Sequence, residues 1–179
     1  MKALLALARL VDGLSDRFAW IAQWAVLLSC FISAGNAAVR YTFDIGSNSM
    51  LEIQWYMFAA CVMLGAAQVL RVNEHVRVDV LYGLYSSRTR VLVDLFGLIF
   101  FLMPVMLVMF YLSTPLFVKM YQTKEMSSQA GGLIRWPAML TLPVGFGLMI
   151  LQGLAEILKR IGWLAHKYEM EYQYERPLQ

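Results

Sequence analysis

Four long runs of this sequence contain no charged residue, and they constrain the fold more than any other feature. The runs are 18–39, 53–70, 95–118 and 136–155, each near the roughly 20 residues that a helix needs to cross a hydrocarbon core. Sixty per cent of the 179 residues are hydrophobic and 15% are charged, whereas soluble domains are about half apolar and about a quarter charged. Because isolated sheet edges leave backbone groups unpaired in lipid, the runs predict helices. We therefore expect an all-α integral membrane protein with four transmembrane helices in one domain.

The spans themselves are predicted at residues 18–40, 52–71, 94–118 and 136–157. The preceding stretch 4–14 places Leu4, Leu7, Leu10, Val11 and Leu14 on one face at helical spacing, which predicts an amphipathic helix on the membrane surface. A frayed tail is the alternative for this stretch.

A second interfacial amphipathic helix is predicted at 75–86, between spans 2 and 3. Its apolar residues alternate with Arg77, Asp79 and Ser86, so the pattern of 76–80 also fits a short strand. A lone strand at a membrane surface would have no partner, which favours the helix.

The lysines and arginines predict the orientation, because they are enriched in cytoplasmic segments. The N-terminal tail, the second connection and the C-terminal tail hold three, four and four of them, and the two other loops hold one and three. Eleven basic residues against four favour both termini in the cytoplasm. The net charge of +3 is then a consequence of topology, and no nucleic acid partner is expected.

Few residues could carry chemistry. Cys30 and Cys61 are the only cysteines and are far apart in sequence, while His75 and His166 lie outside the spans. A redox cysteine pair, a thiolate metal site and a di-haem centre are therefore not expected. The charge-free cores of the spans also lack the ionisable residues that mark ion routes. We expect no catalytic residue, no metal and no cofactor.

Polar clusters stand at two span boundaries. Asn36 and Arg40 end the first span and Glu52, Gln54 and Trp55 begin the second, so we expect an ion pair between Arg40 and Glu52 at the top of this hairpin. The other cluster is the stretch 71–79, at the end of the second span. Ordinary anchoring at the membrane interface is the alternative for both clusters.

Together these stretches resemble a known family. The residues that carry the resemblance are Asn36, Arg40-Tyr41, Glu52, Trp55, the run Asn73-Glu74-His75-Val76-Arg77-Val78-Asp79, the run 131–137 and the stretch 142–145. In this order, over residues 15 to 160, they are similar to the small membrane subunit (DctQ type) of tripartite ATP-independent periplasmic (TRAP) transporters. The branch that they resemble is the one for mannitol, chloroaromatic or 2-oxo acid transport.

The resemblance implies a non-catalytic subunit in the bacterial inner membrane. Its implied partners are a large membrane subunit (DctM type), which carries the substrate and sodium sites, and a periplasmic substrate-binding protein that delivers an organic acid. Phospholipids surround the assembly. The small subunit would anchor the scaffold of the large one and contribute to docking.

Three sets of residues follow as hypotheses. Polar and small residues near the span boundaries are expected at the interface with the large subunit: Asn36, Arg40, Glu52, Gln54, Trp55, Gly65, Asn73, His75, Arg77 and Asp79. Cations of the outer loops are expected to dock the binding protein: Arg40, Lys119, Lys124 and Arg135. Tryptophans and arginines near span ends are expected to anchor the chain in the lipid interface: Trp20, Arg71, Arg88, Arg90, Trp136 and Trp163.

Other functions remain open from composition alone. A small structural subunit of another membrane complex, such as a respiratory one, would have a similar composition. A membrane oxidoreductase would need the histidine or cysteine pairs that the spans lack, and a self-contained carrier would need polar residues along a path.

Overall fold

The computed structural model describes residues 2–73 and 85–168. Within these ranges the secondary structure is helical, apart from one isolated antiparallel bridge between Met126 and Ile134. The elements are α1 (Lys2–Phe43), α2 (Asn48–Val72), α3 (Ser87–Gly97), a π-helical turn (Leu98–Leu102), α4 (Met103–Thr123) and α5 (Trp136–Leu164).

Four helices are long and apolar enough to cross a membrane, which confirms the expected fold class. They are α1, α2, the continuous helix formed by α3, the π-helical turn and α4, and α5. Each predicted span lies inside one of them. The stretch 4–14 is not a separate element, because α1 runs without a break from Lys2. The predicted surface helix 75–86 falls almost entirely outside the described residues.

The π-helical turn has a cause in the sequence. Pro104 has no backbone N–H to donate, and its ring crowds the preceding turn of an α-helix. The backbone hydrogen-bond pattern therefore changes from α-helical to π-helical before Pro104. The Met103 N–H donates to the Leu98 carbonyl five residues earlier. The turn keeps Leu98 buried against the rest of the bundle while the helix continues.

Helix α5 is the centre of the bundle, because it packs against α1, α2 and α4. In the apolar 18-residue stretch of α5, 39% of the residues are buried inside the bundle. The corresponding share is 11–17% in the other three long helices. The core joins Ala67 and Leu70 of α2 to Leu98, Leu148 and Met149. Most of the apolar surface of the other helices is left to face lipid or other proteins.

Small residues bring the helices close together. A Cβ at Gly145 of α5 would lie 2.8 Å from the Met63 carbonyl oxygen of α2, so only glycine fits at this crossing. On α1 the buried face is a row of alanines that includes Ala19, Ala22 and Ala25. Such rows allow close approach of helices in membranes, where water does not drive them together.

The alternating directions of the helices give the bundle two ends. We call the end where α1 and α3 begin and α2 and α5 end the terminal end, and the end with the 44–47 and 124–135 connections the loop end. Each end carries its own set of polar contacts, and the two sets differ in construction.

Candidate functional site

A buried group of charged side chains joins three helices at the terminal end. We call it the ion cluster: Asp12 of α1, Asp94 of α3, and Glu156, Lys159 and Arg160 of α5. The Lys159 ammonium lies 2.8 Å from Asp12 Oδ1 and 2.5 Å from Glu156 Oε1. The Arg160 guanidinium lies 2.5 Å from Glu156 Oε2 and 3.3 Å from Asp94 Oδ2. The five side chains are only 5–18% exposed, so solvent screens these attractions weakly.

Neutral groups complete the network of the ion cluster. Gln152 is fully buried, and its amide nitrogen donates to Asp12 Oδ1 at 2.8 Å and to Glu156 Oε1 at 3.1 Å. Its carbonyl oxygen accepts a hydrogen bond of 2.7 Å from the Ser15 hydroxyl. Buried charges are tolerated when they are paired and hydrogen-bonded in this way. The arrangement fixes α1, α3 and α5 relative to one another.

The spacing along α5 explains how one helix supplies most of this site. Positions 156, 159 and 160 follow position 152 by four, seven and eight residues, so the four side chains project from one helical face. That polar stripe is the signal that the sequence analysis missed. Glu156 to Arg160 were interpreted as the boundary of the last span, although Gln152 already continues their face into the apolar helix.

A second polar contact at the terminal end lies closer to the surface. The Arg71 guanidinium of α2 bonds the Asp16 carboxylate of α1, and the Gln68 amide donates to the same oxygen at 3.4 Å. The side chains of Arg71 and Asp16 are 29% and 44% exposed. Arg71 was predicted as a lipid-interface anchor, and the ion pair with Asp16 was not foreseen.

The loop end is organised around one carboxylate. Glu52, at the start of α2, accepts a hydrogen bond from the Ser127 hydroxyl and another of 2.6 Å from the Leu133 backbone N–H. The loop is also closed on itself, because the Ser127 N–H donates to the Leu133 carbonyl at 2.9 Å. A Cβ at Gly132 would lie 2.8 Å from Glu52 Oε1, so the loop packs directly over the carboxylate. Glu52 is only 3% exposed in consequence.

The expected ion pair between Arg40 and Glu52 is wrong. Both residues are described, and the Glu52 carboxylate is bound by the 126–133 loop while the Arg40 side chain is exposed. The hydrogen bonds of this loop give it a defined conformation. Asn48 ties the two connections of this end together by donating to the Ala130 carbonyl at 2.9 Å.

The other residues expected at the large-subunit interface do not form one cluster. Trp55 is 62% exposed, Asn36 is half-buried, and Gln54 donates to its own helix at Met50. Gly65 faces α1, where its missing Cβ would lie 3.8 Å from Ala22 Cβ. At the terminal end, Asn73 adopts the left-handed conformation that closes α2, and its N–H donates to the Leu70 carbonyl. His75, Arg77 and Asp79 lie outside the described residues.

The cations expected to dock a soluble partner share the loop end. Lys119 and Lys124 are exposed, as is Arg40. Arg135 differs, because its guanidinium lies 2.8 Å from Glu125 Oε1 in a half-exposed pair. Substitution of Lys119 or Lys124 would therefore leave the Arg135–Glu125 ion pair intact.

The aromatic anchors lie where span ends were expected. Trp20 is 61% exposed and contacts Trp24 edge to face, with ring centroids 5.8 Å apart. Trp136 begins α5 and meets Tyr121 at 5.4 Å. Trp163 is half-buried in the last turn of α5, and Arg88 and Arg90 lie in the first turn of α3.

The spacing of polar contacts along two helices matches a bilayer. Glu52 and Arg71 are 19 residues apart on α2, which corresponds to roughly 29 Å of helix. Arg135, the N-cap residue of α5, and Glu156, eight residues before the end of that helix, are separated by roughly 32 Å on the same basis. Both lengths agree with a hydrocarbon core of roughly 30 Å.

Comparison with known proteins gives one match. The family model described as tripartite ATP-independent periplasmic transporters, DctQ component, matches residues 29–162. No curated protein and no solved structure matches the chain. The matched region includes α2, the continuous helix over α3 and α4, the Glu52 loop and most of α5, so it covers most of the bundle.

Proposed function

Since this chain belongs to the DctQ family and is the small component of a TRAP transporter, we propose that it is the scaffold that anchors the large subunit in the inner membrane. The observation that supports the proposal is the uneven burial of the bundle. Among the described residues, α5 packs against the three other long helices, and those three leave most of their apolar residues uncovered. A scaffold of this kind offers its outer helices to a partner while α5 keeps them in place.

Coexpression with a large DctM-type subunit tests the scaffold role. The tagged chain is expected to retain that subunit in detergent at a constant ratio, because apolar surfaces of membrane helices associate by packing and interhelical hydrogen bonds. Trp55→Ala and Asn36→Ala, on exposed or half-buried positions, are expected to reduce the retained fraction. Full retention in both variants would remove these two residues from the proposed interface.

We place both termini in the cytoplasm, as the distribution of basic residues predicts. The loop end, with Arg40, Lys119 and Lys124, then faces the periplasm, where a substrate-binding protein arrives. A fluorescent protein fused after Gln179 is expected to be fluorescent, whereas a periplasm-dependent phosphatase at the same place is expected to be inactive. The opposite result would invert the assignment of both ends.

Docking of the binding protein is proposed to use the exposed lysines of the loop end. The double variant Lys119→Glu with Lys124→Glu reverses two charges and leaves the Arg135–Glu125 pair intact. We expect the association rate of the binding protein with the reconstituted transporter to fall by about tenfold at low salt, and less at high salt. Lys167→Glu at the terminal end is the matched control, because Lys167 is equally exposed. Unchanged association and uptake in the double variant would contradict the docking role.

Transport itself is proposed to be sodium-coupled uptake of an organic acid, with the substrate and sodium sites in the large subunit and no catalysis by this chain. The charge-free cores of the spans support this division of labour, since a buried anion path needs polar partners. Vesicles with the complete transporter are expected to take up the acid only under a sodium gradient. Uptake by vesicles containing this chain alone would contradict the accessory role.

A further inference from the structure

We propose that the groove between α1 and α2 binds one acyl chain of a phospholipid whose ethanolamine headgroup is held by Asp16 and Arg71. The groove has a cavity volume of about 600 Å³ and is open to the outside of the bundle. Small and β-branched residues line most of it, among them Ala19, Ala22, Gly65 and Val69, and the two glutamines Gln23 and Gln68 also face it. Its volume lies within the range of ligand sites, roughly 300–1,000 Å³.

The groove exists because small residues face each other across the two helices. Gly65 and Ala22 touch at the floor, where a Cβ on the glycine would be 3.8 Å from the alanine Cβ. The floor therefore holds α1 and α2 together, and the missing side-chain volume above it is left empty. The empty stretch covers nine residues of α2, from Cys61 to Val69, which is a rise of roughly 12 Å.

The chemistry changes at one mouth of the groove. Asp16 lies three residues before Ala19, and Arg71 lies three residues after Gln68, so both are one helical turn from groove-lining residues. Arg71 is also at the boundary of the hydrocarbon core, roughly 29 Å of helix from Glu52. Apolar surface at acyl-chain depth therefore continues directly into an ion pair at headgroup depth.

The ion pair has the charges and the exposure that a zwitterionic headgroup requires. The Asp16 side chain is 44% exposed and can accept hydrogen bonds from an ammonium group, while Arg71, 29% exposed, can donate to a phosphate. The ion cluster of the same end is 5–18% exposed and uses its charges internally. A molecule that is charged at one end and apolar over the rest matches this groove.

Native mass spectrometry of the full chain, released from vesicles of equal parts phosphatidylethanolamine and phosphatidylglycerol, tests the site. We expect one retained phosphatidylethanolamine, preferred over phosphatidylglycerol by about fivefold. Val69→Phe fills the groove and is expected to reduce the retained lipid by about fivefold or more. Val118→Phe is the matched control, because Val118 is a similarly exposed valine, 41% against 37%, on another helix.

A separate double variant tests whether Asp16 and Arg71 recognise the lipid headgroup. Asp16→Asn with Arg71→Gln removes both charges together, so no unpaired charge is left behind. The bound lipid is then expected to lose its headgroup preference while the groove remains open. Equal retention of both lipids by the wild-type chain, or equal lipid loss in Val69→Phe and Val118→Phe, would overturn the site.

A protein occupant gives a different result. If Val69→Phe leaves the retained lipid unchanged but lowers recovery of the coexpressed large subunit, the groove is a helix-docking surface and the lipid proposal fails. The lipid measurement requires no transport, so its failure leaves the scaffold function untouched.

Discussion

The two ends of the bundle arrange their charged side chains in different ways. At the terminal end, five charged side chains from three helices, 5–18% exposed, are paired with one another. At the loop end, a single buried carboxylate, Glu52, orders a loop, and the remaining ion pair of Glu125 and Arg135 is 41% exposed on both sides. The difference indicates that the terminal end fixes the helices, while the loop end presents a shaped polar surface outside the membrane.

The largest effect is expected from Glu156→Ala. It leaves the buried cations of Lys159 and Arg160 without their shared carboxylate, and loss of one partner from a buried charge network costs about 3–5 kcal/mol. Thermal unfolding of the purified chain in detergent, followed by circular dichroism, measures the loss. Glu125→Ala at the loop end is the matched control and should change stability little. Equal destabilisation by the two variants would abolish the distinction between the ends.

A smaller effect is expected from Gln152→Leu. The leucine keeps a similar volume but removes the amide that bonds Ser15, Asp12 and Glu156, which leaves buried polar groups unsatisfied at a cost of about 1–3 kcal/mol. Gln54→Leu is the control, since Gln54 bonds only the carbonyl of Met50 among the contacts of the described chain. Its effect is expected within about 0.5 kcal/mol. A similar loss of stability in both variants would show that the hydrogen bonds of Gln152 within the network contribute no more than those of an isolated glutamine.

Much of this contrast between the two ends could not be predicted from the sequence. The charge-free runs were sufficient to predict four long helices, because hydropathy over about 20 residues is a local property. They did not predict where the helices end. Helix α1 continues to Lys2 and α5 to Leu164 because Asp12, Glu156 and Lys159 find partners inside the bundle, and those partners are distant in sequence.

The Arg40–Glu52 expectation failed for a related reason. The sequence places these two residues on either side of a short connection, so a local pair was the simplest interpretation. In the structure Glu52 bonds Leu133, 81 residues away, because the loop before α5 folds back over the start of α2. The loop covers the carboxylate, which leaves Glu52 only 3% exposed, while the Arg40 side chain is exposed. The family resemblance, carried by short motifs, was confirmed over residues 29–162.

Glu52→Ala tests whether Glu52 stabilises only the loop at the loop end or the whole fold. We expect the loop to open while the helices stay folded, because the lost hydrogen bonds involve only Ser127 and Leu133. Amide exchange at Leu133 is expected to accelerate by about tenfold or more, with no change at core amides such as that of Leu148. Cooperative loss of protection in the core would mean that Glu52 supports the whole fold.

The smallest effect is expected from the exposed pair at the loop end. Exposed ion pairs contribute about 0–1 kcal/mol, and both side chains of the Glu125–Arg135 pair are 41% exposed. Exchanging the two charges, in Glu125→Arg with Arg135→Glu, is therefore expected to preserve thermal stability. The matched exchange in the ion cluster, Glu156→Lys with Lys159→Glu, should be strongly destabilising, because Arg160 and Asp12 would then face charges of the same sign as their own. Tolerance of that exchange would mean that the terminal end is held by apolar packing alone, and the contrast between the two ends would disappear.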